Sequence, residues 1–220
     1  MKYLVLNILL AAIPAIGIIV FIYRKDRGER EPPLLVFMAF VIGFFAVIPA
    51  AVLEILLADF SVHFRGIGYN IFRAFVVAAA VEEGVKLIAV RLFLFNNRHF
   101  NEIADGILYT IAASLGFAFF ENILYSFGSP IIIIIRGITA VPLHASASGI
   151  LGYYLGIART TGKKNLFIGL LWAILVHGCY NFLLFTGSWL AVFVIPLLAA
   201  AIFALTRLYK KAQRLDASAT

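Results

Sequence analysis

Residues 33–53 read PLLVFMAFVIGFFAVIPAAVL, twenty-one positions without a charged side chain. As a helix this run rises about 30 Å, the thickness of the hydrocarbon core of a bilayer. Its apolar residues are continuous rather than alternating, which excludes the strand of a membrane barrel. Runs of similar length recur from end to end of the chain. The 220 residues are 63% hydrophobic and only 13% charged, with a mean hydropathy of +1.02. That leaves too little charge to cover a soluble domain. The fold class is therefore all-α, a polytopic transmembrane helical bundle.

Working outward from this run and punctuating at charges, Gly and Pro, the sequence predicts seven spans. They lie at about 3–23, 34–58, 70–95, 103–126, 131–157, 165–186 and 188–208. The connections are short, so the chain reads as a single integral membrane domain, 1–220. Met1 to Tyr23 has no small-x-small cleavage site before Arg24 and is expected to stay as the first helix. The lone Cys179 sits in an apolar run, which excludes a disulfide framework and a cysteine metal cluster. The net charge of +7 is confined to short segments between spans, a pattern of membrane topology rather than of nucleic-acid binding. Arg24, Lys25, Arg27, Arg30, Arg98, Arg159, Lys163, Lys164, Arg207, Lys210, Lys211 and Arg214 fall on one side of a seven-span arrangement. Only Lys2 and Arg65 fall on the other. By the positive-inside rule the N-terminus is expected outside and the tail in the cytoplasm of a cell-membrane protein.

Ionisable groups at span centres cost about 2.5–3.5 kcal/mol each on insertion scales, so they face the bundle interior and mark function. Four of them, Glu82, Glu121, His144 and His177, come from four different spans yet fall within a slab about 12 Å thick in the outer half of the bilayer. The third span carries Glu82-Glu83-Gly84-Val85-Lys86. Adjacent glutamates point about 100° apart on a helix, so they cannot do the same job. Lys86, at i+4 and i+3, can pair with either. One glutamate is expected to be neutralised by Lys86 and the other to face the cavity as a base, although an ion-paired packing motif also fits. In the fourth span Glu121 is either an acid-base group or metal ligand, with Asn122 as a donor, or a partner for Arg136 on the next helix. In the fifth, His144 precedes Ala145-Ser146-Ala147-Ser148-Gly149, a small-residue run suited to close helix approach. In the sixth, His177 and Asn181 share a face at i and i+4 and can polarise a scissile carbonyl or hold a metal and its water. Asp105 reads as a capping residue, Tyr180 as packing, and Glu54, Arg73 and Arg91 as structural or snorkelling groups.

Several protease signatures are absent: no H-E-x-x-H, no rhomboid-like G-x-S-G, no paired aspartates at span centres. What remains is Glu82-Glu83-x-x-Lys86, Phe117-x-x-x-Glu121-Asn122, Pro142-x-His144-Ala145 with Gly149, and His177-Gly178-x-Tyr180-Asn181. This ordered set, over about residues 70–185, resembles the PrsW family of intramembrane proteases, distant relatives of the CAAX prenyl proteases. The CAAX pattern is E-E-x-x-x-R, F-x-x-x-H and H-x-x-x-N/B. Here Lys86 stands one position earlier than the CAAX arginine and Glu121 replaces the CAAX histidine, which favours the PrsW side. The resemblance implies a cut in a single-pass membrane substrate, an anti-sigma factor, on its extracytoplasmic side.

The residues so picked out are Glu82, Glu83, Glu121, His144, His177 and Asn181 as catalytic groups, supported by Lys86, Asn122 and Arg136. The expected chemistry is peptide hydrolysis by water activated at Glu82 or Glu83 with Glu121 assisting. Two forms stand at this point: a metal-free glutamate protease, and a Zn²⁺ enzyme with ligands drawn from Glu83, Glu121, His144 and His177. The alternative from another class is a proton- or ion-coupled transporter using the same buried Glu, His and Lys. It lacks the paired repeats common in transporters.

Overall fold

The computed structural model describes residues 4–26, 28–125, 130–163 and 165–218. Among these residues the secondary structure is helical, with no strand. The first two helices are α1 (Leu4–Lys25) and α2 (Pro33–Ala58). Helix α3 runs unbroken through Ile67–Ile71, a π-helical stretch Phe72–Ala80 and Val81–Phe93. Then come α4 (Ile103–Tyr125), α5 (Pro130–Ile138), α6 (Ala140–Thr161), α7 (Leu166–Phe185) and α8 (Val194–Ala217). Single 3₁₀ turns, Asp59–His63 and Trp189–Phe193, follow α2 and precede α8. Six stretches are long and apolar enough to cross a bilayer: Val5–Lys25, Pro33–His63, Ile103–Tyr125, Pro130–Thr161, Leu166–Phe185 and Trp189–Ala217. Helix α3 is long enough, at about 1.5 Å per residue, but carries Arg73, Glu82, Glu83, Lys86 and Arg91. Its charge marks it as the helix that builds a site.

Three details depart from the expected spans. The third is not a uniform α-helix, because nine residues before Glu82 are π-helical, a form frequent at functional sites. The fifth is broken at Thr139 into α5 and α6. Pro142 has no N–H to give the Ile138 carbonyl and its ring crowds that group, so the helix cannot run straight through. The seventh runs on to Ala217 instead of stopping near 208, since Lys210, Lys211, Gln213 and Arg214 are good helix formers beyond the apolar segment.

Helix α4 is the axis of the bundle. Every residue from Ile103 to Ala118 is buried, and it packs against α1, α2, α3, α5, α6 and α8. Small residues allow this. A Cβ on Gly43 of α2 would run into the Ala113 backbone, and one on Gly116 of α4 into the Phe40 carbonyl. On the other side, Gly152 and Gly156 of α6 meet Gly106 and Ile103 of α4, a small-xxx-small contact between helix backbones. A Cβ at Gly156 would lie 2.5 Å from the Ile103 carbonyl oxygen, with backbone on both sides and no side chain to swing away. Gly156→Leu is expected to cost about 1–3 kcal/mol or more, seen as a lower thermal midpoint of the purified protein in detergent. An unchanged midpoint would mean that α4 and α6 are not held this closely.

One end of the bundle is fastened by capping. Asp216, near the end of α8, accepts hydrogen bonds from the backbone N–H of Ile103 (2.8 Å) and Ala104 (3.0 Å) at the start of α4. Asp105 accepts from the N–H of Asn101 and Glu102, the capping role expected of it. At the same end a cavity of about 1410 Å³ is lined by Lys25, Lys163, Lys210 and Arg214 among others. The structure thus gathers basic residues of three connecting regions at one end. Nearby, Glu31 is 2% exposed and its carboxyl accepts a hydrogen bond from the Tyr109 hydroxyl. Burial pushes the Glu31 carboxyl above its ordinary range, against the smaller opposing effect of that hydrogen bond. A pKa raised on folding favours the protonated form, so this stabilisation is largest at low pH and fades as pH climbs through the folded value. Glu31→Gln is expected to flatten the dependence of thermal midpoint on pH above the ordinary carboxylate range. An identical slope in wild type and variant would assign the dependence elsewhere.

Candidate active site

The polar residues of five helices meet in one buried cluster. On α3, Glu82, Glu83 and Lys86 stand within one turn, just past the π-helical stretch. The wide stretch is packed tightly against α7, where a Cβ on Gly178 would collide with the Phe75 ring. Gly178 therefore lets α7 come close enough to present His177 to the α3 carboxylates. The break at Thr139 turns α6 so that His144, one turn past the break, points inward. Its hinge is tied to α7 by a 3.0 Å hydrogen bond between the Thr139 and Tyr180 hydroxyls. Helix α4 brings Glu121 and Asn122 near its far end, and α5 brings Arg136 across to them.

Lys86 sits at the centre. Its ammonium donates to Glu83 Oε1 (2.8 Å), His144 Nδ1 (3.0 Å) and Glu82 Oε2 (3.3 Å), so all three N–H bonds have an acceptor. Behind it the Phe117 ring lies 4.3 Å from Nζ, a cation–π contact. A lysine ammonium can only donate, so His144 Nδ1 must accept and its proton sits on Nε2, which donates to Glu121 Oε2 at 3.1 Å. That same carboxylate oxygen pairs with Arg136 at 2.9 Å, while Arg136 Nε donates to Asn122 Oδ1 at 2.7 Å. Glu121 therefore pairs with Arg136, one of the two readings open in the sequence, and also accepts a hydrogen bond from the His144 imidazole.

The paired glutamates have different surroundings. Glu83 is fully buried and receives three donors: Lys86, His177 Nδ1 at 2.9 Å, and the Ser148 hydroxyl at 2.7 Å on its other oxygen. It is the satisfied member, fixing Lys86 and His177 in place. Glu82 is held less tightly: among the described residues its hydrogen bond is to Lys86, with His177 Nε2 at 3.9 Å and His144 Nδ1 at 4.0 Å. Its side chain retains 7% exposure against none for Glu83. Glu82 is the member that faces the space between the imidazoles. The two imidazole rings stand edge to face with centroids 4.8 Å apart.

This donor set fits a metal. Glu82, His144 and His177 each offer one ligand atom, all within 4.8 Å of one another. Two imidazoles and a carboxylate are a catalytic zinc set with a fourth position left for water. Because His177 Nδ1 donates to Glu83, its Nε2 carries a free lone pair, the carboxylate–histidine arrangement that orients metal ligands. Charge agrees as well: among the described residues the carboxylates Glu82, Glu83 and Glu121 pair with two side-chain cations, Lys86 and Arg136. This group includes Glu82, which the ligand candidates read from sequence did not, while Glu83 and Glu121 each hydrogen-bond one of the two imidazoles, His177 and His144.

Asn181, one turn beyond His177 on α7, is partly exposed and joins no hydrogen bond of this network among the described residues. Two serines that sequence reading treated as packing, or did not single out, belong to it. Ser148 donates to Glu83, and Ser114 lies 2.8 Å from Ser148 and donates to the His144 carbonyl at 2.9 Å. Ser148 is i+4 from His144 and Ser114 is two turns before Glu121, so both fall on the helix faces that carry the cluster. That spacing was the available signal. Glu54 and Arg73 stand apart from these contacts, with Arg73 against Tyr69 and Phe185.

The family described as PrsW family intramembrane metalloprotease matches residues 31–206. The chain is 37% identical over 186 residues to Protease PrsW of Clostridioides difficile (strain 630), covering 80% of this chain and 78% of that one. It is 32% identical to Protease PrsW of Bacillus subtilis (strain 168), covering 83% and 84%. With Protease PrsW of Halalkalibacterium halodurans the identity is 31%, over 96% of this chain and 99% of the relative. No solved structure is a significant match. A multi-pass helical bundle whose buried carboxylate–imidazole cluster lies inside the matched segment, with relatives of this identity over more than three quarters of their length, belongs to the PrsW family of intramembrane metalloproteases.

Proposed function

We infer that this membrane peptidase hydrolyses a peptide bond of a single-pass, membrane-anchored substrate near its extracytoplasmic boundary, an anti-sigma-factor-like protein being the class that the family resemblance implies. The observation that carries the reading is the convergence of Glu82, His144 and His177 on one point, with their donor atoms within 4.8 Å. Glu121 lies about one turn from the end of α4 and His177 about two turns from the end of α7, opposite the cavity lined by Lys25, Lys163, Lys210 and Arg214. With that basic end in the cytoplasm, the cluster falls in the outer half of the bilayer.

In this reading Glu82, His144 and His177 hold Zn²⁺, which when bound supplies Lewis-acid polarisation and a more acidic water. Glu83 fixes the His177 ring through Nδ1, and Ser148 fixes Glu83. Glu121 is the most exposed of the three carboxylates, at 19%, and takes the proton from the attacking water before passing it to the leaving amine. Arg136 pairs with Glu121 and aims it, and Asn122 holds Arg136. Asn181, one turn along α7 and partly exposed, is placed to meet the substrate backbone instead of the resting network. The test is co-expression with a panel of single-pass membrane proteins, with wild type compared to His177→Ala and fragments mapped by mass. A wild-type-specific cut close to the outer boundary is expected. Identical fragments from both proteins, or cuts only at the cytoplasmic boundary, would overturn it.

A further inference from the structure

The centre of the cluster already holds a cation, and it is part of the chain. Two of the three atoms that would ligate a metal, Glu82 Oε2 and His144 Nδ1, are bound to the Lys86 ammonium at 3.3 and 3.0 Å. The third, His177 Nε2, lies 3.9 Å from that same Glu82 oxygen. An imidazole nitrogen has one lone pair, so His144 Nδ1 cannot serve the ammonium and a metal together. A carboxylate oxygen could face both, but only with two cations a few ångströms apart in a site shielded from water, where like charges repel strongly.

We propose that Lys86 is an intramolecular competitor for the metal position, holding Glu82 and His144 while the site is empty and withdrawing to Glu83 and the Phe117 ring as a cation binds. This rests on the metal reading given above. The withdrawal needs no large movement. Glu83 Oε1, its shortest partner at 2.8 Å, belongs to no metal ligand, and the Phe117 face is already 4.3 Å away. The lysine thus has somewhere to go without leaving an unpaired charge in the bundle, which would be costly there. It also explains how an empty site survives in a membrane. Without Lys86, Glu82 and Glu83 would stand adjacent in a buried place with no cation between them.

The charge count gives the direction of the effect. Glu82, Glu83 and Glu121 against Lys86 and Arg136 leave one negative charge, and a dication turns the loaded site positive. Neutralising position 86 leaves two negative charges, which a dication balances. Loss of the lysine charge should therefore tighten metal binding while weakening the metal-free fold. A lysine that merely orients Glu83 and His177 predicts the reverse, since its loss would disorder the ligands and loosen the metal.

The experiment titrates Zn²⁺, and Co²⁺ for its ligand-dependent visible absorption, into detergent-purified wild type, Lys86→Gln, Lys86→Met, Lys86→Arg and His177→Ala. Affinity is read by competition with a chromophoric chelator, and thermal midpoints are recorded with and without metal. Wild type should bind one equivalent that His177→Ala loses. Lys86→Gln and Lys86→Met should bind about tenfold tighter or more, with a lower metal-free midpoint and a larger rise on loading. Equal or weaker binding by folded neutral variants would overturn the proposal and leave the metal site standing. Should both neutral variants fail to fold, Lys86→Arg decides: it keeps the charge and should bind no tighter than wild type, and tighter binding would overturn the competition. Absence of stoichiometric binding in wild type and all variants would remove the metal reading itself, and this proposal with it.

Discussion

Glu82→Gln is expected to lower kcat/KM for a membrane-embedded substrate by at least about 10³-fold, because it removes a carboxylate that faces the reacting space. The adjacent Glu83→Gln should cost less, about 10–100-fold, the range found when a group that orients a metal ligand is replaced. The reason lies in their surroundings. Glu83 receives Lys86, His177 and Ser148 and has no exposed surface, so it acts on the reaction through the groups it holds. Glu82 has one short contact and opens between the two imidazoles. Ser148→Ala should be milder still, a few-fold, since Glu83 keeps two charge-assisted donors. Rates would be measured in proteoliposomes with circular dichroism as the check on folding. The ordering is the test: Glu83→Gln being more damaging than Glu82→Gln in folded protein would exchange the roles assigned to the pair.

Removing metal should have an effect of comparable size. Treatment with a strong chelator followed by dialysis is expected to abolish cleavage, and one equivalent of Zn²⁺ should restore it in wild type but not in His144→Ala or His177→Ala. Each imidazole supplies one of only three protein donors, and a two-donor site does not retain zinc at useful concentrations. The measurement pairs elemental analysis with activity on the same sample. Full activity in protein shown to be metal-free would retire the zinc form and leave Glu82 as the base of a glutamate protease, its lysine contact intact.

Much of this was legible in the chain. The uncharged run at 33–53 and its counterparts fixed the number and approximate limits of the membrane helices, because twenty apolar residues have few alternatives in water. Glu82, Glu83, Lys86, Glu121, His144 and His177 were conspicuous because ionisable groups are so costly in hydrocarbon that each must have a partner or a task. The remainder depended on tertiary packing. The π-helical stretch Phe72–Ala80 has no sequence signature. It arises where α7 presses Gly178 onto Phe75, and it helps set which of two neighbouring glutamates turns toward the imidazoles. The fifth span reads as one apolar run, and only the fold shows that it breaks at Thr139, ahead of Pro142, and so aims His144. Ser148 and Ser114 were hidden among small residues whose commoner role is close packing. Asn181 shows the opposite case, sharing a helix face with His177 yet ending one turn too far to join the resting network.

The seclusion of α4 bears on how the protein is made. A helix wrapped from Ile103 to Ala118 by its companions leaves the translocon before α6 and α8, which cover one whole flank of it, have been synthesised. Its glycines, serine, threonine and carboxylates are then bare to acyl chains, and the segment is a poor solute in the bilayer until the C-terminal half arrives. Nascent chains halted before α6 should therefore be retained by insertion machinery or destroyed by quality control, and the bundle is complete only when the last helix sets Asp216 on the first turn of α4.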